Sequence, residues 1–240
     1  MVHSLLKWSA ATVAVVAVVG VFKLTPITAA RADGPAVAMP APLLETVVDA
    51  PGLQTAVFAG GCFWGIQGVF QHIKGVTSAV SGYAGGTVAN PSYGQVSSGS
   101  TGHAEAVRVT YDPAQVSFGT LLQIFFSVAL DPTEVDHQGP DWGTQYRSDL
   151  FVSSMGQDKA AHAYLAQLTD AHVFAKPIAT RIDDSASFYP AEDYHQDYLT
   201  LHPDQPYIAM NDIPKVQGLQ RLFPAYWRDQ PVLVGKGVEE

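Results

Sequence analysis

Cysteine is nearly absent: Cys62 is the only one in 240 residues. That excludes an internal disulfide in any redox compartment, and it excludes zinc sites built on paired cysteines. Positive charge is also scarce, with 13 Lys and Arg against 22 Asp and Glu and a formal net charge of −9. An acidic chain of this kind is a poor match for nucleic acid or for anionic membranes, so neither is an expected partner. Long apolar runs are missing except near the start, and the body shows no internal repeat and no low-complexity tract. The histidines lack the H-E-x-x-H spacing of a metal-binding helix. His103-Ala104-Glu105 fits the H-x-E of zinc deaminases, but the downstream P-C-x-x-C has no cysteines to form it, so no metal site is expected.

What is present begins with an address. Lys7 precedes an unbroken run of apolar and small residues from Trp8 to Phe22, and Ala30-Arg31-Ala32 has the small-x-small form of a cleavage site. The run falls short of the roughly 20 residues a spanning helix needs. Residues 1–32 therefore read as an export signal, with an uncleaved membrane anchor as the alternative, and the folded part is expected to be exported, as a periplasmic protein or one held at a membrane. No cysteine follows the run, so a lipid anchor is excluded. Residues 1–32 hold Lys7, Lys23 and Arg31 and no acid, so without them 10 basic and 22 acidic residues remain, a charge of −12. Residues 33–54, rich in Pro and Gly, read as a flexible linker, 55–230 as one folded domain and 231–240 as a C-terminal tail.

Cys62 sits where chemistry is expected. The run from Thr55 to Ala59 reads as a strand, and Ile66, Val69, Phe70 and Ile73 recur with the period of an amphipathic helix that Gly75 ends. The cysteine thus lies in a glycine turn at a helix start, where free N–H groups and the helix dipole favour a thiolate. A buried structural thiol is the plainer alternative. Phe63 and Trp64, next to it, suggest an apolar cage for a methyl or thioether group.

Further on, Val76 to Tyr83 reads as a strand, and His103 to Tyr111 alternates so that Glu105 shares a face with Val107 and Val109. A carboxyl aimed at apolar neighbours is held neutral and able to donate a proton, while an edge carboxylate paired with Arg108 or left in water is the plainer alternative. Ser117 is placed to cap a helix carrying Leu121, Leu122, Phe125 and Val128. Residues 131–147 form a long polar loop, Leu150 to Val152 a strand centre, Ser154 to Thr169 a helix with Ala160, Ala163, Tyr164 and Leu168 inward, and Ile178 to Ile182 another strand. The order predicts an α/β fold, an α+β two-layer sandwich with a ferredoxin-like split β-α-β core, an added helix and strand, and an irregular C-terminal tail.

Four ordered motifs carry a resemblance. Gly60-Gly61-Cys62-Phe63-Trp64-Gly65, Thr101-Gly102-His103-Ala104-Glu105, Gly143-Thr144-Gln145-Tyr146-Arg147-Ser148 and Ala191-Glu192-Asp193-Tyr194-His195-Gln196-Asp197-Tyr198-Leu199 resemble the signatures of the class A peptide methionine sulfoxide reductases. The resemblance implies a thiol-dependent oxidoreductase of oxidative-damage repair that reduces the S epimer of methionine sulfoxide, free or in oxidised proteins. It uses no metal or prosthetic cofactor. Cys62 would attack the sulfoxide sulfur and become a sulfenic acid. Glu105 would protonate the oxygen, with Tyr93 and Tyr146 hydrogen-bonded to it. Phe63 and Trp64 would hold the methyl, and Asp141 would shape the site. Many members resolve the sulfenic acid with further C-terminal cysteines, and this chain has none there. An external thiol, a thioredoxin-like or glutaredoxin-like redoxin or a small molecule, is then required. A monomer is expected. Leu130 stands where the family often has histidine, and Ser98 where some members have cysteine. The competing readings are a cysteine hydrolase or acyl-transferase with His103 or His195 as base, and an exported binding module in which Cys62 is structural.

Overall fold

The structure, a computed structural model, describes residues 36–44, 52–184 and 187–235. The export signal over 1–32 and residues 236–240 of the tail lie outside them. Its centre is a strand, β1 (Gln54–Gly60), with the helix α1 (Phe63–Gln71) immediately after it. The chain continues through β2 (Val76–Ala84), α2 (Tyr93–Ser97), β3 (Ala104–Tyr111) and α3 (Phe118–Ile124). A short hairpin of β4 (His137–Gln138) and β5 (Asp141–Trp142) leads to β6 (Ser148–Val152), α4 (Met155–Asp170), β7 (Arg181–Asp184), β8 (Phe188–Pro190), α5 (Tyr198–Leu201) and α6 (Ile213–Leu222). The six-stranded sheet runs β7-β6-β1-β3-β2-β8. Its four inner strands are antiparallel, in the order fourth, first, third, second, as a split β-α-β core requires. β7 adds parallel to β6 at one edge and β8 antiparallel to β2 at the other.

Alternation divides the two faces. Phe58, Val107, Val109 and Tyr111 join α1 and α3 in the main core, while Ala59, Ala84, Ala104, Ala106 and Phe151 form a small second cluster. Phe58 lies against Phe70 at 4.6 Å and Phe125 at 5.2 Å between ring centroids, which locks both helices onto the central strand. Ser117 caps α3 by accepting the Thr120 N–H at 3.0 Å, and Ser154 caps α4 at Gln157.

Several boundaries differ from the sequence expectation. The strand read at 178–182 begins at Arg181, because the Ala179 N–H is drawn off to the Pro132 carbonyl at 2.7 Å. In α4 it is Ala161, not Ala163, that is fully buried. The C-terminal part, read as irregular, contains α6, and the long loop contains the β4–β5 hairpin. Residues 36–44, within the stretch read as a linker, lie against the body. Met39 is buried, its N–H donates to Ser127 Oγ at 2.9 Å, and its carbonyl accepts from Gln123 Nε2 at 2.8 Å. The Tyr164 hydroxyl donates to the Pro40 carbonyl at 2.8 Å. Buried backbone groups need such partners, and here side chains of α3, of the turn just after it and of α4 supply them. Among the described residues no helix is long and apolar enough to cross a membrane.

Candidate active site

The site forms at one end of the sheet, where β1 stops. Gly60 pairs with Ser148 of β6, and Tyr83 of β2 pairs with Glu105 near the start of β3. The chain leaves β1 through Gly61, whose φ of +98° is a glycine conformation. A Cβ there would also stand 2.6 Å from the side chain of Gln138. Cys62 follows as the N-cap of α1. Gly65, on the first turn, is needed for another reason: the Asp212 carboxylate occupies the space a side chain would take.

Glu105 is 2% exposed, and its Oε2 accepts the N–H of Phe63, the residue after Cys62, at 3.0 Å. Burial, opposed only by that bond and reinforced by Asp141 and Asp212, pushes its pKa up to about 8. Burial thus favours the neutral form of Glu105, and at Cys62 it opposes the thiolate that the helix start favours. Cys62 is 7% exposed, and burial raises its thiol well above the usual range, with Glu105 and Asp212 adding to the rise. The Trp64 N–H and the Lys215 ammonium act the other way, but the helix N-terminus does not outweigh desolvation. The balance of these effects disfavours the thiolate.

Tyr93 opens α2, and its backbone N–H donates to Glu192 Oε1 at 2.8 Å. The other oxygen of Glu192 accepts from the Tyr83 hydroxyl at 2.8 Å, so one carboxylate clamps α2 to β2. Tyr146 ends a 3-10 turn, Thr144–Tyr146, that follows β5. Both hydroxyls have raised pKa values, through burial first and the Glu105 carboxyl second, so they stay protonated and able to donate. Asp141, in β5, accepts from the Tyr207 hydroxyl, and burial raises its pKa.

Of the two aromatics, Phe63 is buried, with its ring near His195 (5.1 Å) and Tyr83 (6.0 Å). Trp64 is the half-exposed one, stacked on Tyr198 at 4.0 Å with Tyr207 edge-on. Its indole N–H donates to His195 Nδ1 at 3.2 Å. His195 is thereby a neutral acceptor that orients Trp64, and burial lowers its pKa, which keeps it so. His103 is occupied as well: Nδ1 accepts the Gly86 N–H at 3.0 Å, and Nε2 lies 2.8 Å from the Val88 carbonyl. Neither histidine is free to serve Cys62 as a base, which removes the support for the hydrolase reading.

The rest of the motifs act as struts. Arg147 Nε bonds Asp149 Oδ2 at 3.1 Å, and its Nη1 donates to the carbonyls of Thr144 (3.1 Å) and Gly102 (3.2 Å), tying the Tyr146 turn to the entry of β3. The Gln196 amide bonds Gln67, Ser81 and Ala191, which fixes His195 beside α1. Leu130 packs on the backbone of Gly60, and Ser98 lies at the surface bonded to Gln95 and Ser100. The Glu192 clamp, the Tyr207–Asp141 bond and the Asp212–Lys215 pair at 3.1 Å were not read from the sequence. Each joins residues through the fold, and only the i, i+3 spacing of Asp212 and Lys215 leaves a local trace.

Comparison with known proteins places this geometry among relatives. The family model described as peptide methionine sulfoxide reductase matches residues 54–226. The chain is 56% identical over 185 residues to peptide methionine sulfoxide reductase MsrA 2 of Mesorhizobium japonicum, covering 77% of this chain and 95% of that protein. It is 48% identical over 174 residues to the MsrA 2 protein of Synechocystis, covering 72% of this chain and 81% of that one. Among solved structures, reduced Mxr1 from Saccharomyces cerevisiae matches with a TM-score of 0.58 and 32% identity over 67% of this chain and 91% of its own. Methionine sulfoxide reductase A of Corynebacterium diphtheriae matches with 0.54 and 33% over 72% and 88%.

Proposed function

We propose, from the premise that the chain belongs to the peptide methionine sulfoxide reductase family and reduces methionine sulfoxide to methionine, that Cys62 and Glu105 carry the reaction together on the S epimer. The observation that carries this reading is the bond from the Phe63 N–H to Glu105 Oε2, which sets a neutral acid beside the sulfur. The sulfoxide oxygen receives the Glu105 proton and hydrogen bonds from Tyr93 and Tyr146, which makes the substrate sulfur electrophilic. Cys62 attacks that sulfur and gives up its own proton, which restores Glu105. Oxygen passes to Cys62, so that sulfoxide and thiol become methionine and a sulfenic acid with nothing else consumed. The raised thiol pKa suits this exchange, because the thiol proton replaces the one Glu105 donates. Trp64, held by His195, supplies the apolar surface for the substrate methyl.

With one cysteine in the chain, the sulfenic acid is removed by an external thiol, a redoxin or a small molecule. The test is a single turnover without reductant. The enzyme should release about one methionine per molecule and stop, with Cys62 heavier by one oxygen in the mass spectrum, and Cys62→Ser should release none. Continued turnover without any thiol would refute the reading.

The domain is read as exported, supported by Lys7, the Trp8–Phe22 run and Ala30-Arg31-Ala32. Mass analysis of the mature protein should then find its first residue at or near Asp33. An intact Met1 start in the mature protein would favour the anchor instead.

A further inference from the structure

We infer that Asp197 is a positioning residue for the substrate methyl: its carboxylate latches residues 232–235 onto the end of α1, and the turn it makes between His195 and Tyr198 fixes the indole of Trp64. The inference rests on the reading of Trp64 given above. His195 and Tyr198 meet that indole from two sides. His195 Nδ1 accepts the Trp64 N–H at 3.2 Å, and the Tyr198 ring stacks on Trp64 at 4.0 Å with the planes 12° apart. Between them the backbone of Asp197 passes through a left-handed conformation, with φ at +58°. Residues other than glycine seldom adopt it, and it persists only where the surroundings hold it.

Here the hold comes from both ends of the chain's order. Asp197 is buried, and its own N–H donates to Gln67 Oε1 at 2.9 Å. Its Oδ1 accepts from Gln71 Nε2 at 2.6 Å and from the Val234 N–H at 3.0 Å, and its Oδ2 accepts the Gly235 N–H at 3.0 Å. Gln67 and Gln71 lie one turn apart on α1, so they grip Asp197 from a single face of the helix. The C-terminal stretch is anchored in turn. The Val232 N–H donates to the Gln71 carbonyl at 3.0 Å, the Arg228 N–H to the His72 carbonyl at 2.9 Å, and the Trp227 ring stacks on His72 at 4.5 Å. Those carbonyls belong to the end of α1, where a helix leaves them without partners of its own. Val232 also packs against the core. Residues 232–235, read from the sequence as tail, thus supply two of the donors that satisfy a buried carboxylate. Without them the carboxylate is left short of partners, and a turn that survives only by being held is released. The indole would then lose the fixed places of both its hydrogen-bond acceptor and its stacking ring.

Contacts to the methyl act alike on bound substrate and transition state, so loosening them weakens binding and spares the chemical step. Asp197→Asn in the full chain isolates the latch. Asparagine tolerates the left-handed turn, but its amide N–H₂ opposes backbone N–H groups that now find an oxygen. In single-turnover bursts on free S-methionine sulfoxide without reductant, the half-saturating concentration should rise about tenfold. The limiting rate and the burst amplitude should stay within about twofold of the parent. A chain stopped after Pro231 should behave in the same way, and if it folds poorly, seen as a reduced amplitude, the asparagine variant decides. Trp64→Ala alone should raise the half-saturating concentration about tenfold or more, and adding Asp197→Asn to it should change nothing further. An unchanged half-saturating concentration in Asp197→Asn would overturn the proposal. So would a limiting rate that falls in its place, or an effect that adds in full to that of Trp64→Ala, since either would mean that Asp197 does not act through the indole. A Trp64→Ala variant that binds sulfoxide as the parent does would instead strike at the reading of Trp64 itself, so the two failures are distinguishable.

Discussion

Glu105→Gln should slow the first turnover by about 10²–10⁴-fold, the range attributed to a positioned general acid. Glutamine keeps the size of the side chain and can still accept the Phe63 N–H, so the fold and the turn around Cys62 should persist. What disappears is the transferable proton. The pH dependence separates this from a packing effect. The parent acid works only while protonated, so the burst rate should fall as pH rises through about 8. The attacking thiol brings the proton that restores Glu105, so the parent rate should level off at lower pH, with an apparent value that belongs to the pair. In the variant the alkaline fall should vanish. Cys62 should also ionise more easily, since the Glu105 charge that raises its pKa is gone. A slower enzyme with a more acidic thiol is the expected signature, read by rapid-quench methionine release together with thiolate absorbance. An unchanged burst rate would remove Glu105 from the mechanism.

Arg147→Met should destabilise the fold by about 3–5 kcal/mol at neutral pH, the cost of leaving one member of a buried ion pair alone. Asp149 has no exposed surface, and Arg147 is its partner at 3.1 Å. The loss should depend on pH with a definite sign. Burial first, then Asp183, already raises Asp149 to about 6 against the lowering effect of Arg147. A carboxyl whose pKa is higher folded than unfolded favours the fold fully below its ordinary range, and that advantage is lost as pH rises through the folded value. Without Arg147 the folded value climbs further, so the defect should shrink on acidification towards the ordinary aspartate range. Urea unfolding at neutral and mildly acidic pH measures both the loss and its sign. Methionine release should fall too, because the Thr144 and Gly102 carbonyls that set Tyr146 and the start of β3 lose their donor. A change below 1 kcal/mol, flat with pH, would show that the pair carries no net load.

The sequence was legible where the signal is local. The strand–turn–helix at Cys62, the alternation that turns Glu105 toward Val107 and Val109, and the cap at Ser117 all reappear in the fold. Each rests on residues a few positions apart. The helix α6 escaped notice because Ile213, Val216, Leu219 and Leu222 form only a thin apolar stripe, interrupted by Pro214 and Gly218. Pro214 sits in the first turn, where proline is tolerated, so it reads as a breaker only when the start of the helix is unknown. The pull against a thiolate at Cys62 was illegible for a deeper reason. A helix start is visible in the sequence, whereas the burial that overrides it is a product of the whole fold, and Asp212, which adds to the rise, lies about 150 positions away in the chain. Docking of residues 36–44 was hidden in the same way, since its partners are polar side chains of α3 and α4.

The enclosure of Cys62 bears on how the molecule survives its own working conditions. Peroxides consume thiolates in preference to thiols, and beyond the sulfenic stage lie sulfinic and sulfonic acids that ordinary thiols do not reverse. Relatives with a spare cysteine can trap the first product before a second oxidant arrives. This chain has no second cysteine to act as such a trap, and a sulfur sunk in the protein, its thiol pKa raised by burial, offers oxidants little to attack.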